Sequence, residues 1–164
     1  MRMAGRSKNG LAKAIRTDDK GHLLPNLMGS EPYVKQKINA EVTKEAPVTL
    51  ISEDSAIYIE HLVFVTNSRD LSLFIYKKDS SGNVTTIGDL YAVNGDTMPL
   101  KPVTLVSQNS SLFEVNQYDE SKNIFKFTLR KPISFPQGFL IISNSSDTEP
   151  TLISVRVHGV KYND

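Results

Sequence analysis

Residues 56–78 (AIYIEHLVFVTNSRDLSLFIYKK) contain two runs in which apolar side chains recur at every second position. Successive side chains of a strand point to opposite faces, so a period of two predicts strands and not helices. The TNSRD segment between the runs contains Asn, Ser and Asp, which hydrogen-bond to their own backbone and favour a turn. We therefore predict an antiparallel hairpin whose first strand has on one face Ile57, Ile59, His61, Val63 and Val65.

Similar short runs fill most of the chain from Tyr33 onward. The predicted strands are Tyr33–Thr43, Pro47–Ile51, Ala56–Thr66, Leu71–Lys78, Val84–Ile87, Val103–Val106, Leu112–Tyr118, Ile124–Arg130, Phe139–Ser143 and Leu152–Tyr162. About nine or ten short strands with no long helical pattern indicate an all-β fold, an antiparallel sandwich or barrel. A long irregular connection over Gly88–Pro102 favours a jelly-roll-like antiparallel β-sandwich, although one sequence does not define the strand order.

Positive charge is concentrated at the start of the chain. Residues 1–28 contain six basic residues against two acidic ones, a net +4, while the rest of the chain contains 13 basic and 16 acidic residues, a net −3. The basic residues are Arg2, Arg6, Lys8, Lys13, Arg16 and Lys20. This asymmetry predicts two parts, an extended basic arm over residues 1–30, here called the leader, and a β-sandwich domain over residues 31–164. The alternative for the leader is a disordered tail.

The leader also contains an apolar cluster, Leu23, Leu24, Leu27 and Met28, interrupted by Pro25 and Gly29. Proline and glycine disfavour both a helix and a central strand here, so the cluster needs another surface to cover it. A neighbouring protein provides such a surface, and pairing with the edge of its sheet satisfies the backbone as well. Nucleic acid is a weaker candidate partner, because the leader has no aromatic residues interleaved with its charges and the rest of the chain is acidic.

Candidate catalytic and metal-binding groups are sparse. The absence of cysteine excludes thiolate metal sites and cysteine catalysis. The three histidines, His22, His61 and His158, are far apart in the sequence, and His61 is expected to be a hydrogen-bonded core or edge residue. No G-x-S-x-G turn is present, and the acidic doublets fall in predicted turns. We therefore predict no catalytic residues, no metal and no cofactor, so that the chain is not an enzyme; a small hydrolase is the least supported alternative.

No membrane association is expected either. The longest apolar runs have the length of a strand, and the first residues lack the apolar core of a signal peptide.

Glycan binding is the alternative function that the residues themselves suggest. β-Sandwiches can bind sugars through exposed aromatic rings, and this chain has six tyrosines and no tryptophan. Tyr58 and Tyr76 are the candidate glycan-binding residues, because the predicted hairpin places them on a face with Phe64 and Phe74. The other interpretation is that these aromatic residues pack in the core.

Two segments resemble virion proteins of tailed bacteriophages. The leader resembles their basic, glycine-containing leader segments, with Ile15, Arg16 and Asp18 followed by Gly21 and Leu23 in a V/I-R-x-D-x-x-G-x-L pattern. The closing segment resembles the last strands of β-sandwich accessory modules in such virions, through the residues Pro136, Gly138, Val157, Gly159 and Tyr162. Together the two segments cover roughly a third of the chain.

This resemblance implies a non-enzymatic structural protein of the tail, neck or capsid decoration, assembled in the host cytoplasm and located in the virion. It implies other virion proteins as partners and a homo-oligomer within the assembly, with the leader lying across neighbouring subunits. The residues expected to bind the partner are Arg6, Lys13, Ile15, Arg16, Leu23, Leu24 and Leu27.

Overall fold

The computed structural model describes residues 3–6, 12–15, 30–87 and 99–162, and for the first two ranges it describes the backbone only. The described residues form an all-β fold with one short helix. The elements in chain order are β1 (Met3–Arg6), β2 (Ala12–Ile15), β3 (Ser30–Val42), β4 (Val48–Glu53), β5 (Ile57–Thr66), β6 (Ser72–Lys78), β7 (Val84–Ile87), α1 (Pro102–Gln108), β8 (Phe113–Asp119), β9 (Ile124–Leu129), β10 (Ile133–Phe135), β11 (Phe139–Asn144) and β12 (Thr151–Tyr162).

Two antiparallel sheets make up the body. The larger sheet has the order β3-β12-β5-β9-β8, and β10 pairs with β5 alongside β9. The smaller sheet has the order β4-β11-β6-β7. Strands β1 and β2 pair with each other in a separate two-stranded sheet. The all-β, antiparallel class predicted from the period-two pattern is therefore confirmed.

The buried faces of both sheets contribute to one hydrophobic core. Phe64 and Val157 of the larger sheet and Leu73, Phe139 and Ile141 of the smaller sheet are all fully buried in the same cluster. Neighbouring side chains on these strands alternate between core and surface, as a strand packed on one face requires. Each buried side chain of this size contributes about 1.5–3 kcal/mol to folding.

The predicted hairpin over residues 56–78 is wrong. Strand β5 pairs with β12, β9 and β10 in the larger sheet, whereas β6 pairs with β11 and β7 in the smaller one. The turn between them carries the chain from one sheet to the other. Alternation predicted each strand correctly but does not determine which strand lies next to it.

The predicted face of β5 is also partly wrong, because the strand contains a bulge. His158 of β12 pairs with His61, and Gly159 pairs with Ile59, so Glu60 is an extra residue. The extra residue reverses the alternation. Ile57 and Ile59 face the core before it, and the core-facing residues after it are Leu62, Phe64 and Thr66.

The strand predicted at Val103–Val106 is part of helix α1 instead. Pro102 lies in the first turn of the helix, where its missing N–H group costs nothing and its fixed φ favours the helix. Asn109 follows the helix with a φ of 57°, a left-handed conformation typical of helix ends. Thr104 and Leu105 are buried, so packing overrides the strand preference of these residues. Most of the predicted connection Gly88–Pro102 lies outside the described residues.

Side-chain hydrogen bonds stabilise the turn over residues 79–83. The Asp79 carboxylate accepts hydrogen bonds from the backbone N–H groups of Ser81 and Asn83, at 2.8 and 2.9 Å. Gly82 has a φ of 81°, a left-handed conformation that glycine adopts without strain. The turn joins β6 to β7.

Candidate functional site

The residues predicted to bind a partner are described only in part. Arg6 is the last residue of β1, and Lys13 and Ile15 belong to β2. In the pairing of these strands Arg6 is opposite Ala12, and Met3 is opposite Ile15. The other four predicted residues, Arg16, Leu23, Leu24 and Leu27, lie outside the described residues. The leader as a docking segment therefore stays a prediction.

The two predicted glycan-binding tyrosines are not brought together. Tyr58 is partly exposed on the outer face of the larger sheet, since its neighbours Ile57 and Ile59 face the core. Tyr76 is partly exposed on the outer face of the smaller sheet and stacks on Phe74, with ring centroids 6.2 Å apart. The two rings point away from opposite sides of the body, so they do not form one binding platform.

A polar cleft of about 470 Å³ lies at one end of the body. It is formed by residues 67–70 between β5 and β6, by Glu120 and Asn123 between β8 and β9, and by residues 147–151 at the start of β12. Four of its residues are acidic and one is basic, a net charge of −3: Asp70, Glu120, Asp147 and Glu149 against Arg69. These loops meet because β5, β9 and β12 are neighbours in the larger sheet.

One ion pair organises the cleft wall. The Arg69 guanidinium donates to the Glu120 carboxylate at 2.6 Å and lies 3.4 Å from Asp70. The Tyr118 hydroxyl donates to the same Glu120 carboxylate at 3.1 Å. The hydrogen bond from Arg69, followed by that from Tyr118, holds the pKa of Glu120 below its usual value. Glu120 therefore stays ionised and keeps its negative charge in the cleft.

In the same cleft, Asp147 accepts a hydrogen bond from the Ser68 hydroxyl at 2.7 Å. Among the described residues, no cation pairs with Asp147 or Glu149. The cleft is lined by no histidine, and within the described part of the chain no group of three or more metal-ligating side chains could hold an ion. The arrangement favours binding of a cationic group over acid–base chemistry.

No pattern in the sequence predicts this cleft. The doublet Asp119–Glu120 is typical of a solvated turn, and nothing in the sequence indicates a role for Asp147 or Glu149. Glu120 and Asp147 are 27 positions apart in the sequence. The available signal was that they all fall in predicted turns, but only the strand order shows that the turns lie at the same end.

The pairing of β5 with β12 brings two histidines together. His61 is directly opposite His158 in the sheet. His61 is exposed and His158 is half-buried. Of the prediction that His61 is a core or edge residue, the core part is wrong, because the bulge at Glu60 directs the side chain outward.

Comparisons with known proteins add no family to this description. No model of a known protein family matches the chain, and a search of curated proteins found no significant match. Among the described residues there is no helix with the length and hydrophobicity needed to cross a bilayer.

Proposed function

We propose that this chain is a non-enzymatic structural component of a tailed-bacteriophage particle, in the tail, the neck or the capsid decoration. In this proposal the body is a jelly roll, and the leader is an extended arm that docks onto neighbouring virion subunits. The resemblance of the leader and of the closing strands to virion proteins motivates the assignment.

The strand order is the observation that carries the proposal. In a jelly roll, two four-stranded sheets are built from two interleaved Greek keys, and the chain repeatedly crosses between the sheets. Here β3-β12-β5-β10 and β4-β11-β6-β7 form two such sets. The chain crosses from one sheet to the other between β3 and β4, between β4 and β5, and between β5 and β6. It crosses again between β10 and β11 and between β11 and β12. This order supports a jelly roll, an architecture that viral capsid domains use.

Charge and hydrophobicity support docking through the leader. Its net charge of +4 contrasts with the −3 of the remaining residues, and Leu23, Leu24, Leu27 and Met28 form an apolar cluster. An extended segment of about 30 residues cannot bury such a cluster by itself, because small isolated chains lack a core. A partner subunit would bury it.

Particle incorporation tests this proposal. In purified particles of the phage that encodes the chain, mass spectrometry should detect the full-length protein at a constant ratio to the other virion proteins. A chain lacking residues 1–28 should fold, as judged by circular dichroism, yet be missing from the particles. The matched control replaces the body lysines Lys126 and Lys131 with glutamine, which lowers the positive charge but leaves the leader unchanged, and it should incorporate normally.

Two results would contradict the proposal in different ways. Incorporation of the truncated chain at the wild-type level would exclude docking through the leader. Absence of the full-length chain from purified particles would exclude the virion assignment.

A receptor- or glycan-binding module is the second candidate. The stacked rings of Phe74 and Tyr76 on the outer face of the smaller sheet favour it, because an exposed aromatic pair can stack on a sugar ring. Jelly rolls also occur in lectins. Binding on a glycan array that is lost with Tyr76→Ala and kept with Tyr58→Ala would support this candidate, and no binding across a broad array would count against it.

A further inference from the structure

We propose that the acidic cleft binds the basic leader of a second copy of this chain, so that copies associate head to tail. This inference rests on the proposed function, in which the leader docks onto a neighbouring subunit. It adds the identity of that subunit and the surface that receives the leader.

The cleft and the point where the leader joins the body lie at opposite ends of the body. The leader joins the body at Ser30, which pairs with Tyr162 at the end of β12. The cleft includes Thr151, which pairs with Val42 at the other end of β3. The 13 residues of β3 separate these ends by about 40 Å, at roughly 3.3 Å per residue. The leader therefore joins the body at the end away from its own cleft, and a head-to-tail arrangement would bring it to the cleft of the next copy.

The charges of the two surfaces are complementary. The cleft has a net charge of −3, and its one guanidinium, Arg69, is already paired with Glu120 and Asp70. Asp147 and Glu149 remain without a cationic partner among the described residues. Arginine and lysine side chains form charge-assisted hydrogen bonds with carboxylates, and Arg6 and Lys13 of the leader are of these types.

The size of the cleft also fits this occupant. A volume of about 470 Å³ lies within the range of roughly 300–1,000 Å³ that accommodates drug-sized ligands. One or two long cationic side chains with their backbone fill such a space. The cleft therefore takes a short stretch of the leader, while the rest of the leader lies across the surface.

The free edge of β3 is a less suitable receptor for the leader. Among the described strands, β3 pairs with β12 alone, and no described strand covers its other edge. However, Lys35 and Lys37 lie on this strand, and both are exposed. Lysines on an edge strand oppose pairing with another strand.

Sedimentation velocity of the full-length protein tests the inference. At about 50 mM salt the wild-type chain should associate in a concentration-dependent manner, and at about 500 mM salt it should dissociate, because salt screens exposed charges. The double variant Asp147→Lys, Glu149→Lys should weaken association at least tenfold. The control Glu60→Lys, Glu114→Lys makes the same charge change at two exposed carboxylates on the larger sheet, and it should associate like the wild type.

A charge swap gives the sharpest result. Arg6→Glu, Lys13→Glu alone should weaken association, and mixing this variant with the cleft variant should restore it, because each then provides the partner that the other lacks. If association is weak in each variant by itself and returns when the two variants are mixed, the leader of one copy contacts the cleft of another.

Three outcomes would overturn the inference. They are a chain that is monomeric at all concentrations, association that persists without residues 1–28, and association that needs residues 1–28 but not the cleft carboxylates. The last outcome leaves the proposed function intact, because the leader would then dock elsewhere. The proposed function has its own test, because absence of the chain from purified particles would exclude it whatever the sedimentation experiments show.

Discussion

Gly138 lies directly against the backbone carbonyl group of Glu53, where a Cβ atom would overlap the carbonyl oxygen. Gly138 follows Phe135 in the turn between β10 and β11 and has a φ of 88°. This contact joins the turn to the last residue of β4, at the end of the body where the leader joins β3. Two separate requirements, the left-handed backbone and the close approach, therefore select glycine at this position.

Gly138→Ala is expected to destabilise the protein much more than Gly82→Ala. Gly82 has a similar φ of 81° but no atom near the position of a Cβ, so its replacement should cost only the backbone strain, about 1–2 kcal/mol. Gly138→Ala adds the clash with Glu53 and should cost about 3 kcal/mol or more. Denaturation by urea measures both free energies of unfolding. Equal losses would show that the turn moves away from β4 without cost.

Phe64→Ala is expected to cost about 3–5 kcal/mol of the free energy of unfolding, because it opens a cavity in the core. The Phe64 side chain is fully buried, and its ring centroid lies 5.2 Å from that of Phe127 and 5.9 Å from that of Phe113. The matched control is its neighbour Val65, which is 37% exposed on the other face. Val65→Ala should cost less than about 1 kcal/mol. Thermal and urea unfolding of both variants test whether Phe64 faces the core and Val65 faces outward. Similar losses of unfolding free energy in the two variants would contradict this assignment.

Tyr33→Phe is expected to keep or raise stability at neutral pH. The Tyr33 hydroxyl is buried and makes no direct hydrogen bond among the described residues, and the nearby Glu53 carboxylate acts on it mainly through its charge, so removing it should change the free energy of unfolding by a gain of about 0–1 kcal/mol. A loss greater than about 1 kcal/mol would show that the hydroxyl makes a bond that matters.

The same variant should change the stability at high pH. Burial, with the nearby negative charge of Glu53, raises the pKa of Tyr33 well above its usual value. The folded state then holds the phenolic proton more tightly than the unfolded chain does. Its contribution to stability is complete below the unfolded pKa of about 10 and is lost as the pH rises from there towards the folded pKa. Between neutral pH and about pH 11, the free energy of unfolding should fall more steeply for the wild type than for Tyr33→Phe.

Arg69→Ala is expected to raise the pKa of Glu120. The hydrogen bond from Arg69 is the main cause of the lowered pKa, and Tyr118 adds a second bond. Because the folded pKa lies below the unfolded one, the related stability is present above the unfolded pKa and is lost as the pH falls through the folded pKa. NMR titration of the Glu120 side-chain carboxyl should show the pKa moving upward in Arg69→Ala and, by a smaller amount, in Tyr118→Phe. An unchanged pKa in Arg69→Ala would contradict the ion pair.

Much of the secondary structure follows from the period of two in the sequence. Strands β5, β7, β9 and β12 were predicted to within about two residues, because each is a run rich in β-branched or aromatic residues bounded by turn-forming residues. Helix α1 was missed because Val103–Val106 is rich in β-branched residues, while its helical conformation depends on Pro102 and on burial of Leu105. Short strand β10 continues the line of β9 and has too few residues for a pattern.

The pairing of strands could not be predicted in the same way. Residues Asn67–Leu71 have the composition of a hairpin turn, but the chain there passes from one sheet to the other. A turn composition specifies that the chain reverses, and it does not specify whether the returning strand bonds to the first one. The acidic cleft depends on this pairing, because Asp70, Glu120 and Asp147 come from three separate connections.

The leader residues Arg6, Lys13, Ile15, Arg16, Leu23, Leu24 and Leu27 remain predictions. Their proposed role depends on a partner, and contacts with a partner have no periodic signature within one chain. The prediction that Tyr58 and Tyr76 share a face was wrong because only the assumed hairpin placed these two residues together.

The extra residue at Glu60 lets two consecutive residues of β5, Glu60 and His61, face away from the core. Odd-numbered positions point inward before Glu60, and even-numbered positions point inward after it. Deleting Glu60 would remove the bulge and leave a strand that alternates regularly, with Ile57, Ile59, Leu62 and Phe64 still facing the core. Relatives of this chain are therefore expected to have either two residues between Ile59 and Leu62 with a bulge, or one residue there without it.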